Sequence, residues 1–268
     1  MKNILLILFI CCTSFFFSQN LVTTMDHDTC VDKKFSIVFY IVLDSNYTVG
    51  SSTQSTLTMI IDTLNSRFKR ICVSFENCST VFIPNYPFNK WKKNITDPVV
   101  TANWYTTKTI NFYLVDSIKF NAEYFSGYSY PPPQLPGDTA KDVIVVENLK
   151  QSIPNYLFQG IFHNLGHYFG LSHTHEELGT GPNASPMPPA GVLSQEFVDA
   201  TNCNVHGDLI CDTEADPGPS SKIKDGKGHR YIRPIDNFMS GYSTACRYTQ
   251  QQYNKMARCI VAKRMYLH

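Results

Sequence analysis

The stretch GIFHNLGHYFGLSHTH, residues 160–175, constrains this chain more than any other feature. His163 and His167 are four residues apart, so on a helix they share one face and can reach one point. Gly170 allows the chain to leave that helix through a left-handed turn, which brings His173 back toward the same point. Three neutral imidazoles with an open fourth position make the ligand set of a catalytic zinc ion. At the His and Gly frequencies of this chain, H-x3-H-x2-G-x2-H arises by chance roughly once in three thousand such chains, so a shared ion outweighs three unrelated histidines. Nothing fixes His175, His206 or His229 against the first three, and they read as exposed or hydrogen-bonded. His27 and His268 lie near the termini and read as free.

The remaining sequence says where such a helix can sit. The 268 residues carry 23 basic and 22 acidic side chains. That balance excludes a nucleic-acid or anionic-membrane partner, both of which need a basic surface. Residues 1–18 place Lys2 ahead of an apolar run, as a secretory signal peptide does, and predict an exported chain with no membrane contact after signal removal. Cysteines 30, 72, 78, 203, 211, 246 and 259 then remain. Export makes disulfides plausible. Cys72 and Cys78 are the pair easiest to close, Cys30 is the natural leftover, and the last four allow three connectivities.

Phe35–Leu43 is an unbroken run of β-branched and aromatic residues and reads as a buried strand. Thr53–Phe68 has apolar residues at helical spacing. Short strands follow at Ile110–Val115 and Val143–Val146, with weaker ones at Ile71–Phe75 and Val81–Ile83. The prolines of Tyr128–Gly137 predict a loop. Gly and Pro also dominate residues 179–191 and 216–228, ahead of a helix at Thr249–Lys263. The fold class is α+β, a mixed sheet with helices packed on it. Residues 19–268 form one unit, with an N-terminal lobe at 19–170 and a C-terminal lobe at 171–268.

The sequence resembles the pappalysin family of metzincin metalloproteases, whose zinc motif is H-E-x-x-H-x-x-G-x-x-H followed by a Met-turn. Asp236-Asn237-Phe238-Met239-Ser240 looks like that turn, and Gly207, Asp208, Asp212 and Thr213 are similar to the family's Gly-Asp-x-x-x-Asp-Thr segment. The resemblance implies a twisted mixed sheet with a long helix, an active-site helix, an irregular C-terminal lobe across a cleft, and Met239 as the floor beneath the metal. It also implies a peptide or protein substrate or ligand in that cleft, and a calcium ion that Asp208, Asp212 and Glu214 could hold, with a hydrogen-bonded turn as the equal alternative. The family's Met-turn tyrosine, whose hydroxyl sits near the metal, is Gly241 here, and Tyr242, one place later, is the catalytic candidate for that role, displaced by one residue.

One departure bears on activity. The family's Glu, which takes a proton from the attacking water, is replaced by Asn164. Asn has no basic site at accessible pH. A positioned base contributes roughly 10² to 10⁴ in rate. The expectation is therefore a secreted zinc-binding protein of metallopeptidase type that is impaired in, or lacks, hydrolysis: a pseudoenzyme. The alternative is an active zinc endopeptidase using another base. Glu176 or Glu177 could supply one, although neither has a helical offset toward the metal and both read as solvated charges.

Overall fold

The alternation along the central strands explains why they show no polar face. In a computed structural model that describes residues 30–46, 52–132, 139–148, 154–176, 194–218, 222–242 and 244–268, strand β1 (Lys33–Val42) is covered on both sides. Phe35, Ile37, Phe39 and Ile41 join one apolar cluster, and Val38, Tyr40 and Val42 join another. β4 (Ile110–Val115) and β8 (Val143–Glu147) divide the same way, with Ile110, Phe112, Leu114, Ile144 and Val146 facing the first cluster. A strand buried on both faces needs a continuous apolar run, which is how these segments read.

β4 pairs in parallel with β1 and with β8, β2 (Val73–Ile83) pairs in parallel with β1 at one edge, and β7 (Gly127–Ser129) closes the other edge antiparallel to β8. The order is β2-β1-β4-β8-β7. The result is the expected α+β architecture with a twisted mixed sheet. Helices α1 (Gln54–Phe68) and α3 (Pro154–Tyr168) cover the first cluster. A small sheet of β3 (Lys90–Lys92), β5 (Ser117–Phe120) and β6 (Glu123–Phe125), with α2 (Thr96–Thr101), lies toward the second, where Trp91, Val100 and Ile118 are buried. Beyond Tyr168 the described chain is irregular until α4 (Gln250–Cys259), which begins in a capping box of Thr249 and Gln252.

Three expectations change. The two weak strands at Ile71–Phe75 and Val81–Ile83 are ends of one strand, β2. Tyr128 and Ser129 belong to β7 rather than to a loop, because Pro131 is the first residue that lacks a ladder donor. Cys72 bonds Cys30 and not Cys78. Parallel pairing of Lys33 with Val73 places Cys30 and Cys72 at the same end of adjacent strands, 4.9 Å apart at Cα, while β2 carries Cys78 away along its length. The second disulfide joins Cys203 and Cys211, and Cys78, Cys246 and Cys259 are free thiols. The leader at 1–18, Cys11 and Cys12 lie outside the described residues. No described helix is long and apolar enough to cross a membrane.

Candidate metal centre

α3 carries His163 and His167 on one face, and its last turn closes as a Schellman motif. Leu171 N–H bonds Gly166 O at 2.9 Å and Gly170 N–H bonds His167 O at 2.9 Å, with Gly170 at φ +87°. Only a residue tolerant of positive φ fits there, and a Cβ would also lie 2.9 Å from Cys259 Sγ. The turn delivers His173, and Thr174 N–H then bonds Met239 O at 3.1 Å.

The three Nε2 atoms converge. His163 and His173 are 3.1 Å apart there, His163 and His167 3.1 Å, and His167 and His173 3.0 Å. On the opposite sides of the rings, His163 Nδ1 bonds Phe238 O at 2.6 Å and His167 Nδ1 bonds Leu171 O at 2.8 Å. A carbonyl only accepts, so Nδ1 carries the proton in both rings and the Nε2 lone pairs face one another. Burial also lowers the pKa of all three histidines, those of His167 and His173 well below the ordinary value, and holds them neutral. Lone pairs converging at this spacing repel unless a cation lies among them. The centre of such a triangle is about 1.8 Å from each corner, within a zinc–nitrogen bond of about 2.0–2.1 Å. The donor set fits zinc.

No family model matches the chain, and no curated protein matches it. Among the solved structures that share its fold are two of mirolysin. One is of mirolysin in complex with compound 9, at 15% identity and TM-score 0.56, covering 83% of this chain and 89% of that one. The other is of mature mirolysin from Tannerella forsythia in complex with a cleaved peptide, at 14% identity and TM-score 0.52, with the same coverage. The fold is metzincin-like.

Beneath the three histidines Met239 is fully buried and its Sδ packs against Gly166, so closely that a Cβ on Gly166 would collide with it. Asn237 Oδ1 accepts from Met239 N–H at 2.8 Å and from Gln252 Nε2 at 3.2 Å, which ties the turn to the start of α4. Asp216, also fully buried, accepts from Thr174 Oγ1 at 2.7 Å and holds the loop between His173 and His175. Its other oxygen accepts from Gly218 N–H at 2.9 Å and from the Tyr242 hydroxyl at 3.4 Å. Arg233 donates to Tyr242 Oη at 3.1 Å. Asp216 and Thr174 escaped the sequence reading because their link spans 42 positions.

The expected absence of a carboxylate from the site is corrected by Glu176. It is 9% exposed rather than solvated. Its Oε1 lies 2.8 Å from His173 Nδ1, off the axis of that ring's N–H, and its Oε2 accepts from His173 N–H at 3.3 Å. His173, His175 and Glu176 form a second group whose ligand-type atoms all lie within 4.8 Å of one another. The site is therefore a His/His/His/Glu cluster, and the pseudoenzyme expectation, drawn from Asn164 alone, does not stand. Sequence offset hid Glu176, because its placement depends on the turn at Gly170 and on the Thr174 bond to Met239. Glu177 lies outside the described residues.

Asn164 has a structural place. It is 2% exposed, its Nδ2 donates to Gly160 O at 2.8 Å, and its own carbonyl accepts from Ser129 Oγ of β7 at 2.8 Å. The three C-terminal carboxylates have separate partners. Asp208 Oδ1 accepts from Ile210 N–H at 3.0 Å and Thr213 Oγ1 at 3.1 Å, and burial raises its pKa to about 7. Asp212 accepts from Gln251 N–H at 2.9 Å, and Glu214 meets Arg247 at 3.1 Å.

Proposed function

We propose that this chain is an exported zinc endopeptidase of the pappalysin type in which Glu176, not residue 164, is the working base. The observation that carries the reading is a carboxylate 2.8 Å from the third histidine of a converged triad. His163, His167 and His173 would hold the zinc ion. Bound there, zinc supplies a Lewis acid that polarises a peptide carbonyl and makes water more acidic. The chain supplies the rest. Phe238 O and Leu171 O fix the tautomers of His163 and His167. Glu176, held by no aligned bond to His173 Nδ1, is available to accept the proton of the attacking water and return it to the leaving amine.

A peptide substrate is supported by the edge of the sheet. β7 is the last strand of its sheet and lies against α3 at Asn164, so its outer edge offers backbone groups to an extended chain beside the histidines. The cleaved peptide in the mirolysin structure agrees with this occupant. Export is supported by the leader sequence and by two disulfides.

The test is hydrolysis of an unfolded protein by the purified mature chain before chelation, after chelation and after zinc is restored. Cleavage that disappears with the metal and returns with it supports the reading. A zinc-loaded chain that cleaves nothing contradicts it.

A further inference from the structure

The second cluster shares His173 with the first but brings two donors of its own. We propose that a second divalent cation, zinc by its donor chemistry, binds beside the first on His175 and Glu176, and that filling this position inhibits the chain. The inhibition rests on Glu176 being the base; the binding rests on geometry alone.

His175 stacks on His173 with ring centroids 4.9 Å apart and planes at 14°. His173, His175 and Glu176 each offer one ligand-type atom, and these atoms lie within 4.8 Å of one another. His173 Nε2 belongs to the converged triad, so its Nδ1 faces the second group. Glu176 Oε1 sits close to that Nδ1 without the alignment of a hydrogen bond. A small rotation about the Glu176 side chain exchanges this contact for a cation shared with His175. One imidazole and one carboxylate, completed by water, are ordinary zinc donors. Two dications on the two sides of the His173 ring repel. The second ion therefore binds more weakly than the first, by on the order of a hundredfold or more. Once it is bound, the Glu176 carboxylate is held by the second cation and by His173 N–H, and the proton acceptor is lost.

Equilibrium dialysis of the intact mature chain against buffered free zinc, compared with His175→Phe, tests the site. Phe keeps a ring on the face of His173 and removes the donor. The expected result is one more zinc per chain in the parent than in His175→Phe, with the tight equivalent present in both; zinc on exposed histidines such as His229 raises both counts alike. Cleavage of an unfolded protein should fall at least tenfold in the parent as the weaker equivalent fills, and should hold in His175→Phe. Equal zinc counts in the two chains, or inhibition that survives in His175→Phe, overturn the proposal. If His175→Phe loses the tight equivalent as well, His175→Ala is judged by the same two criteria. Should no form hydrolyse protein, the proposed function fails while the difference in zinc count still decides this site.

Discussion

At the scale of residues, the site depends on which nitrogen of each imidazole holds a proton. The carbonyls of Phe238 and Leu171 set that for His163 and His167. His167→Ala removes a buried neutral donor and should abolish tight zinc binding, measured as zinc per chain after dialysis; unchanged binding means the ligands are misassigned. Because the Asn164 side chain donates to Gly160 O of α3 and its backbone carbonyl accepts from Ser129 Oγ of β7, with no bond to a reacting group, Asn164→Ala should keep full zinc and a rate within about tenfold of the parent, well inside the loss expected for a base. A larger loss at full zinc returns residue 164 to the chemistry.

The three histidines also give the metal-free chain a pH dependence. Their folded pKa values are lowered by burial, so the unfolded chain binds more protons below its ordinary histidine pKa. Stability from this source is full above about pH 6.5 and is lost as pH falls through that value toward the lowered folded ones. Asp208 acts with the opposite sign: its pKa is raised to about 7, so it costs stability as pH rises from about 4 to 7. Thermal melts of metal-free Asp208→Asn should thus show a Tm lower at pH 5.5 than at 7.5. A flat profile would mean the triad is protonated or open without metal. The histidine spacing was legible because one helix sets it. Glu176 was not, because no local period relates it to His163.

At the scale of elements, α3 stops where the third ligand requires it to stop. Gly170→Ala meets both a positive φ and the Cys259 thiol, and should destabilise by more than about 1 kcal/mol, with a matching loss of zinc affinity because His173 is displaced. Urea denaturation and zinc titration of the variant check the two effects. Strand β7 is the element the proline tract concealed. Its three residues are too few to show a period, and their assignment depends on the ladder to β8. The long apolar runs of β1, β4 and β8 were legible for the opposite reason. The Cys30–Cys72 bond was hidden because sequence gives neither the parallel pairing nor the register that aligns Lys33 with Val73.

Across the whole molecule, the C-terminal segment is tied to the sheet by a buried ion pair. Arg264, fully buried, lies 2.5 Å from Asp142 Oδ1, donates to Tyr168 O at 3.2 Å and covers the Tyr168 ring. Asp142 also accepts from Tyr168 and Tyr266 hydroxyls, at 2.7 and 2.8 Å. Removing one partner of such a pair leaves the other charge uncompensated, which costs about 3–5 kcal/mol. Arg264→Met should therefore lower Tm by on the order of 10 °C for a chain of this size. A change of only a degree or two in a thermal melt would show that the pair is not what anchors the segment. This link joins residues 122 positions apart, so it could not be read from the sequence.

The most direct measurement is the turnover of Glu176→Gln with its zinc content determined on the same sample. If Glu176 moves the proton, kcat for an unfolded protein should fall by about 10² to 10⁴ at full zinc and nearly unchanged KM. Should kcat hold while zinc affinity falls, Glu176 orients His173 instead and the base lies elsewhere, contradicting the reading on which the proposed function rests.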